Sequence, residues 1–156
     1  MTGGDLRELI PAGDRLVLDT SVVIAYLKGG EPISRLAAFI FDELVAKERN
    51  PAVLSAVTVA EALVRPIAAG GSALATVRTF LLAYPGLAIR STDFLVAAEA
   101  ARIRVATGIA TPDALIAATA TLTSSRWLIT NDRVLGDRLA GLQWPAQVLV
   151  LGELAG

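Results

Sequence analysis

Neither cysteine nor histidine occurs among the 156 residues of this chain. The first absence excludes disulfides, zinc–thiolate sites and thiol nucleophiles. The second removes Ser-His-Asp and Cys-His triads, imidazole acid–base chemistry and His-ligated zinc. Lysine is scarce as well, standing only at Lys28 and Lys47, neither in a pocket motif. Any chemistry the chain performs therefore falls to its carboxylates, and such hard oxygen ligands favour Mg2+ or Mn2+.

Long apolar runs are also missing. The longest uncharged stretch, between Arg138 and Glu153, is interrupted by Gln143 and Pro145 and falls short of the ~18 apolar residues a membrane span needs. The segment Met1 to Ile10 carries Asp5, Arg7 and Glu8 where a secretory signal has a basic start and an apolar run. Cytoplasmic residence with no membrane partner is expected. There is no internal repeat, low-complexity segment or interdomain linker, and the length suits one packed domain. Net charge is −1, which exerts no global pull on nucleic acid, so contact with a polyanion would need a local patch or a bound cation.

What the chain does have is a regular alternation of short apolar runs with helical patterns, in a composition that is 54% hydrophobic and 19% charged. Leu16-Val17-Leu18, Ala52-Val53-Leu54-Ser55, Leu87-Ala88-Ile89, Trp127-Leu128-Ile129-Thr130 and Gln147 to Leu151 read as strands. Helical patterns lie between them: Val22–Leu27 stopped by Gly29-Gly30, an amphipathic stretch over 33–49 ended by Pro51, a helix opening near Thr58 and ending near Gly70-Gly71, Ser72–Tyr84, Thr92–Thr107 stopped by Gly108, and Pro112–Leu122 with Thr111 as its cap. Strands apolar on both faces and alternating with helices predict a three-layer α/β/α fold around a central, mainly parallel sheet of about five strands. Residues 1–13 are expected to form an arm or short helix, and residues 14–156 the folded body.

Ligands of open α/β sheets bind beyond the carboxyl ends of the strands. Asp19 and Asp132 directly follow strands, while Glu61 and Asp113 lie in first turns of helices, where a carboxylate is stabilised as an anion. Each acid also has a plain structural reading. Glu61 completes a capping box with Thr58, Asp113 complements a helix dipole, and Asp19 and Asp132 serve as turn or cap residues. Together they point further. Two carboxylates ~4 Å apart repel by about 4 kcal/mol at an effective dielectric near 20, so a converging set of acids calls for a divalent cation. Such an ion activates water and shields a phosphodiester.

These segments, in this order, resemble the PIN-domain family, in particular the VapC-type toxins of bacterial toxin–antitoxin pairs. Leu16 to Leu27 resembles the opening strand with the first acid, Asp19; Ser55 to Glu61 the segment with the second; Pro112 to Ala120 the helix with the third, Asp113; and Leu128 to Asp132 the strand end with the fourth. The resemblance spans about Leu16 to Leu151 and makes residues 14–156 a PIN-like nuclease domain. It implies hydrolysis of RNA phosphodiesters through a metal-activated water, leaving a 5′-phosphate and a 3′-hydroxyl. By the same resemblance Asp19, Asp113 and Asp132 are ligands of Mg2+ or Mn2+, Glu61 acts directly or through water, and Ser21, less directly Thr20, support them by hydrogen bonds. Ser21 is equally readable as the cap of the helix beginning near Val22. After the fourth acid many relatives continue with an acid and an aromatic, whereas Arg133-Val134-Leu135 follows here and the next acid is Asp137. Asp132 is preferred because it directly follows the strand. The resemblance further implies a homodimer and a cognate VapB-type antitoxin that covers an apolar groove, supplied by helices between Glu31 and Tyr84, and obstructs the acids.

Other readings are a housekeeping RNA-processing nuclease of the same family and a non-catalytic interaction module. A phosphoaspartyl hydrolase is excluded because Ser21 stands where its second Asp is required. No Gly-rich phosphate loop follows the first strand.

Overall fold

The computed structural model describes residues 2–155, so Met1 and Gly156, the outer ends of the two expected segments, lie outside the described residues. In chain order the elements are α1 (Gly3–Leu9), β1 (Leu16–Leu18), α2 (Thr20–Lys28), α3 (Ser34–Phe39), a π-helical segment (Ile40–Val45), β2 (Ala52–Ser55), α4 (Ala56–Ala69), α5 (Gly71–Ala83), β3 (Leu87–Arg90), α6 (Phe94–Thr107), α7 (Thr111–Leu122), β4 (Trp127–Thr130), α8 (Arg133–Leu139) and β5 (Gln147–Val150), followed by a short 3-10 turn at Leu151–Glu153. The amphipathic stretch after Ile33 is thus not one α-helix, because it passes from α3 into the π-helical segment at Ile40.

All five strands are parallel, in the order β3-β2-β1-β4-β5. Their side chains alternate between two cores. Leu16, Leu18, Leu54 and Ile129 enter one, packed with buried residues of α1, α2, α3 and the π-helical segment and with Ala62 and Leu81 of α4 and α5. Val17, Val53 and Leu128 enter the other, under α6, α7 and α8. This is the expected α/β/α arrangement, and it explains why β1, β2 and β4, buried at every position, read as near-continuous apolar runs. Full burial of a residue such as Leu18 or Leu128 contributes roughly 1.5–3 kcal/mol.

Helix α1 and the residues just after it are built into the first core. Leu6 and Ile10 are fully buried. Arg49 Nη1 donates to the Ile10 carbonyl at 2.8 Å, and the buried Asn50 amide donates to the Pro11 and Asp14 carbonyls at 2.8 and 3.0 Å.

Two features position the acids. The chain leaves β1 toward β2 and β3 on one side, then returns to β4 on the other side of β1. The loops after β1 and β4 therefore part from each other, the crevice-forming switch point of an open α/β sheet. In addition α6 and α7 meet at 115°. The turn is made at Gly108, whose φ of +72° is the left-handed conformation that glycine adopts without steric cost. That bend aims the first turn of α7 at the switch point.

Candidate active site

Asp19 is the N-cap of α2, with Oδ1 accepting from the Thr20 amide at 2.9 Å. Its Oδ2 accepts from the Ser21 and Thr130 hydroxyls at 2.9 and 2.7 Å. A carboxylate this buried, 6% exposed, is tolerable only when donors replace its lost water, and three do so here. The helix begins at Thr20, one residue after Asp19, so the cap of α2 is Asp19 rather than Ser21. Ser21 instead ties the two diverging loops together: its Oγ donates to Asp19 and accepts from the Asn131 amide at 3.0 Å.

Thr20 reaches the other way. Its hydroxyl donates to Glu61 Oε1 at 2.7 Å and shares a hydrogen bond of 3.0 Å with the Thr58 hydroxyl. The capping box expected of Thr58 and Glu61 is absent. Helix α4 starts earlier, at Ala56, and is capped by Ser55, whose Oγ accepts from the Val57 amide at 3.2 Å. Thr58 and Glu61 are thereby freed from the helix terminus and both turn to Thr20.

Asp132 caps α8, with Oδ1 accepting from the Leu135 amide at 3.0 Å. Its own amide donates to Thr130 Oγ1 at 2.9 Å. A continuous path of hydrogen bonds thus runs Glu61–Thr20–Asp19–Thr130–Asp132. Thr130 is its keystone: fully buried, it donates to one acid and accepts from the backbone of another. The signal in the sequence was a hydroxyl residue at the carboxyl end of an otherwise apolar strand, just before Asn131-Asp132.

Asp113 occupies the first turn of α7. Thr111, expected as its cap, lies inside the helix. Ala110 takes the cap position without a side-chain bond, and Thr111 Oγ1 accepts from Arg104 Nη1 at 2.6 Å instead. Burial raises the carboxyl pKa of Asp113 above its ordinary value, and the negative charges of Asp19, Asp132 and Glu61, in that order, raise it further. Four acids from four elements therefore share one electrostatic neighbourhood. They do not form a closed cage: among the described residues no three acidic side chains are gathered closely enough to hold a metal ion as oriented. Thr20 and Glu61 end a groove of 690 Å³ between α2 and α4, whereas Asp113 and Asp132 line a smaller pocket of 200 Å³ beside α8. Asp137, exposed on α8, lines neither. The donor set suits Mg2+ or Mn2+ in kind, being all oxygen and unbalanced by any cation among its own hydrogen bonds. Glu61 and Asp132 are exposed and Asp113 is half-buried, so their carboxylates are open to solvent, whereas Asp19 is held in place by its three donors.

The architecture is shared with solved structures. A toxin–antitoxin complex from Klebsiella pneumoniae contains a chain 22% identical, with a TM-score of 0.65 over 87% of this chain and 97% of that one. A chain of VapBC2 from Rickettsia felis, bound to a DNA fragment from its promoter, is 17% identical, with a TM-score of 0.62 over 87% and 98% of the two chains. VapC20 of Mycobacterium tuberculosis, described as a sarcin–ricin loop cleaving toxin, is 14% identical, with a TM-score of 0.59 over 72% and 86%. These likenesses show a common fold. Comparison with curated proteins gives no match. The pattern that defines the PIN domain, however, matches residues 16–140, a span that begins with β1, takes in all four acids and ends just after α8. With the parallel sheet, the switch-point acids and that span in agreement, the chain belongs to the PIN domain family.

Proposed function

We propose that the protein is a metal-dependent ribonuclease that hydrolyses RNA phosphodiester bonds and acts as the toxin of a toxin–antitoxin pair. The observation that carries this reading is Asp113, whose carboxyl is held above the ordinary range by burial and by three other acids brought from β1, α4 and the end of β4. Such a group is costly to a fold that makes no use of it. Asp19, Asp113 and Asp132 would hold Mg2+ or Mn2+, with Glu61 acting directly or through water. When bound, the ion supplies Lewis acidity toward the phosphate and lowers the pKa of a water. The chain's own hydroxyls do the positioning: Thr130 and Ser21 orient Asp19, and Thr20 orients Glu61.

The toxin reading is supported by the named complexes that share the fold and by the 690 Å³ groove. Ile24, Leu27, Ala62, Val64 and Pro66 line it with apolar side chains, Lys28, Glu31 and Arg65 add charge, and it takes in Thr20 and Glu61. An apolar helix of a VapB-type antitoxin seated there would end at the acids, where a basic side chain could neutralise them. A homodimer is supported by Ile89, Phe94 and Leu95 around the β3–α6 connection, 39%, 83% and 60% exposed, an apolar group of the kind oligomers cover.

The test is cleavage of single-stranded RNA by purified protein with Mn2+ and with EDTA, with sequencing of the product ends. Wild-type protein should cut only with the metal, leaving 5′-phosphates and 3′-hydroxyls, and Asp113→Asn should be inactive. Undiminished cleavage by the variant, or by the wild type in EDTA, refutes the assignment.

A further inference from the structure

A nuclease whose centre is four carboxylates must bring a polyanion up to them, and a net charge of −1 gives no general help. A local cation is needed beside the acids. Arg138 of α8 lines the 200 Å³ pocket together with Asp113 and Asp132, and it also lines an adjoining depression of 300 Å³ with Arg102, Thr107 and Gln143. It is the residue common to both.

Its placement is held by the loop that turns α6 into α7. Arg138 Nη1 donates to the Thr107 carbonyl at 3.2 Å, and it stands 3.3 Å from the position a Cβ on Gly108 would occupy. Only glycine leaves that approach unhindered. Although two acids share its pocket, no carboxylate among the described residues is within ion-pairing distance of Arg138. Arg102 differs from Arg138 in being paired with Glu99. A guanidinium used only to terminate α6 would need a single N–H, and Arg138 retains the rest of its planar fork for an oxyanion.

We propose that Arg138 binds a backbone phosphate of the RNA strand next to the cleaved bond, and that the strand runs from the Asp113–Asp132 pocket over Arg138 into the depression lined by Arg102 and Gln143. This rests on the ribonuclease reading and adds the direction of the substrate strand.

The test measures binding of a short fluorescein-labelled single-stranded RNA by anisotropy in EDTA over a series of salt concentrations, with Mn2+-dependent cleavage followed separately. Loss of one phosphate contact lowers the slope of log K against log salt by about 0.7 and weakens binding about fivefold at ~0.1 M salt, and Arg138→Gln should show both. Arg138→Lys should keep the slope while losing part of the affinity, because it keeps the charge and loses the fork. Arg126→Gln, which removes the same charge just before β4 at the opposite end of the sheet, should bind like the wild type. Binding by Arg138→Gln equal to the wild type, or an equal loss in Arg126→Gln, overturns the inference while a wild type that cleaves RNA leaves the ribonuclease reading standing. A wild type that neither binds nor cleaves RNA overturns both. Weaker binding by Arg138→Gln in a protein that never cleaves supports the phosphate site and removes the catalytic reading.

Discussion

Replacing Asp113 by Asn should stabilise the metal-free protein and destabilise it relative to the wild type once Mn2+ is present. Among the described residues the carboxyl of Asp113 accepts no hydrogen bond, and its pKa is raised by burial and three like charges, so its ionisation costs folding free energy. Two unit charges ~7 Å apart repel by about 2.4 kcal/mol at an effective dielectric of 20. Asp113 is only half-buried, and solvent and salt cut each such repulsion to about 0.5 kcal/mol. Three neighbours then total about 1.5 kcal/mol, against which the variant loses about 0.5 kcal/mol of favourable charge at a helix N-terminus. The net gain of about 1 kcal/mol raises the melting temperature by about 2–4 °C for a chain of this size.

Because the folded pKa of Asp113 is raised above 3.8, its favourable contribution is complete below that value and is lost as pH rises through the folded value. The wild type should therefore lose stability in EDTA as the pH rises above 3.8, and the variant should lose less. With Mn2+ at about 100 times its dissociation constant the wild type gains about 2.7 kcal/mol, most of which the variant forgoes, so the order of melting temperatures reverses. Differential scanning calorimetry in EDTA and in Mn2+, at several pH values, measures all three. A variant less stable than the wild type in EDTA, or one that Mn2+ stabilises as much as the wild type, refutes the reasoning.

Asp132→Asn should keep the cap on α8, since Asn is as good a cap as Asp, and so unfold within about 0.5 kcal/mol of the wild type while losing most Mn2+-dependent cleavage; Asp137→Asn should cleave normally, and the reverse result would move the fourth acid to Asp137. Thr130→Val should cost about 1–3 kcal/mol in urea unfolding, the penalty for a buried carboxylate deprived of a donor, and an unchanged midpoint would mean that Thr130 does not support Asp19. Gly86→Ala places a Cβ 2.4 Å from the Val45 carbonyl oxygen at a φ of +76°, so it should destabilise by more than about 1 kcal/mol and lower soluble yield. Val64→Glu, an exposed change in the groove, should leave RNA cleavage intact and abolish co-purification with a co-expressed antitoxin.

The strands and the residues that could bear chemistry were legible because they depend on local pattern. Apolar runs such as Leu16–Leu18 and Trp127–Thr130 are buried on both faces, and a parallel sheet under two helical layers is the arrangement that buries both. The want of cysteine and histidine likewise confines the candidates to carboxylates. What misled the local reading was capping: Thr58 and Glu61 match a capping box in spacing, and Thr111-Pro112 matches a capped helix start. Yet the helices begin at Ala56 and Thr111, because Ser55 and Ala110 already lie at the turns.

By itself, then, the sequence determined the class of fold, the strand ends at which acids stand and the oxygen-only character of any metal ligand, all of them consequences of periodicity and residue type. Only the tertiary structure decided that β1 and β4 are neighbours with loops that part between them, that Thr20 joins Glu61 while Thr130 joins Asp19 to Asp132, and that Asp113 feels the other three charges. The reason is physical: hydrogen bonds and Coulomb energies fall off with distance through space, and residues as remote in the chain as Asp19 and Thr130 come within reach of each other only when β1 and β4 have paired.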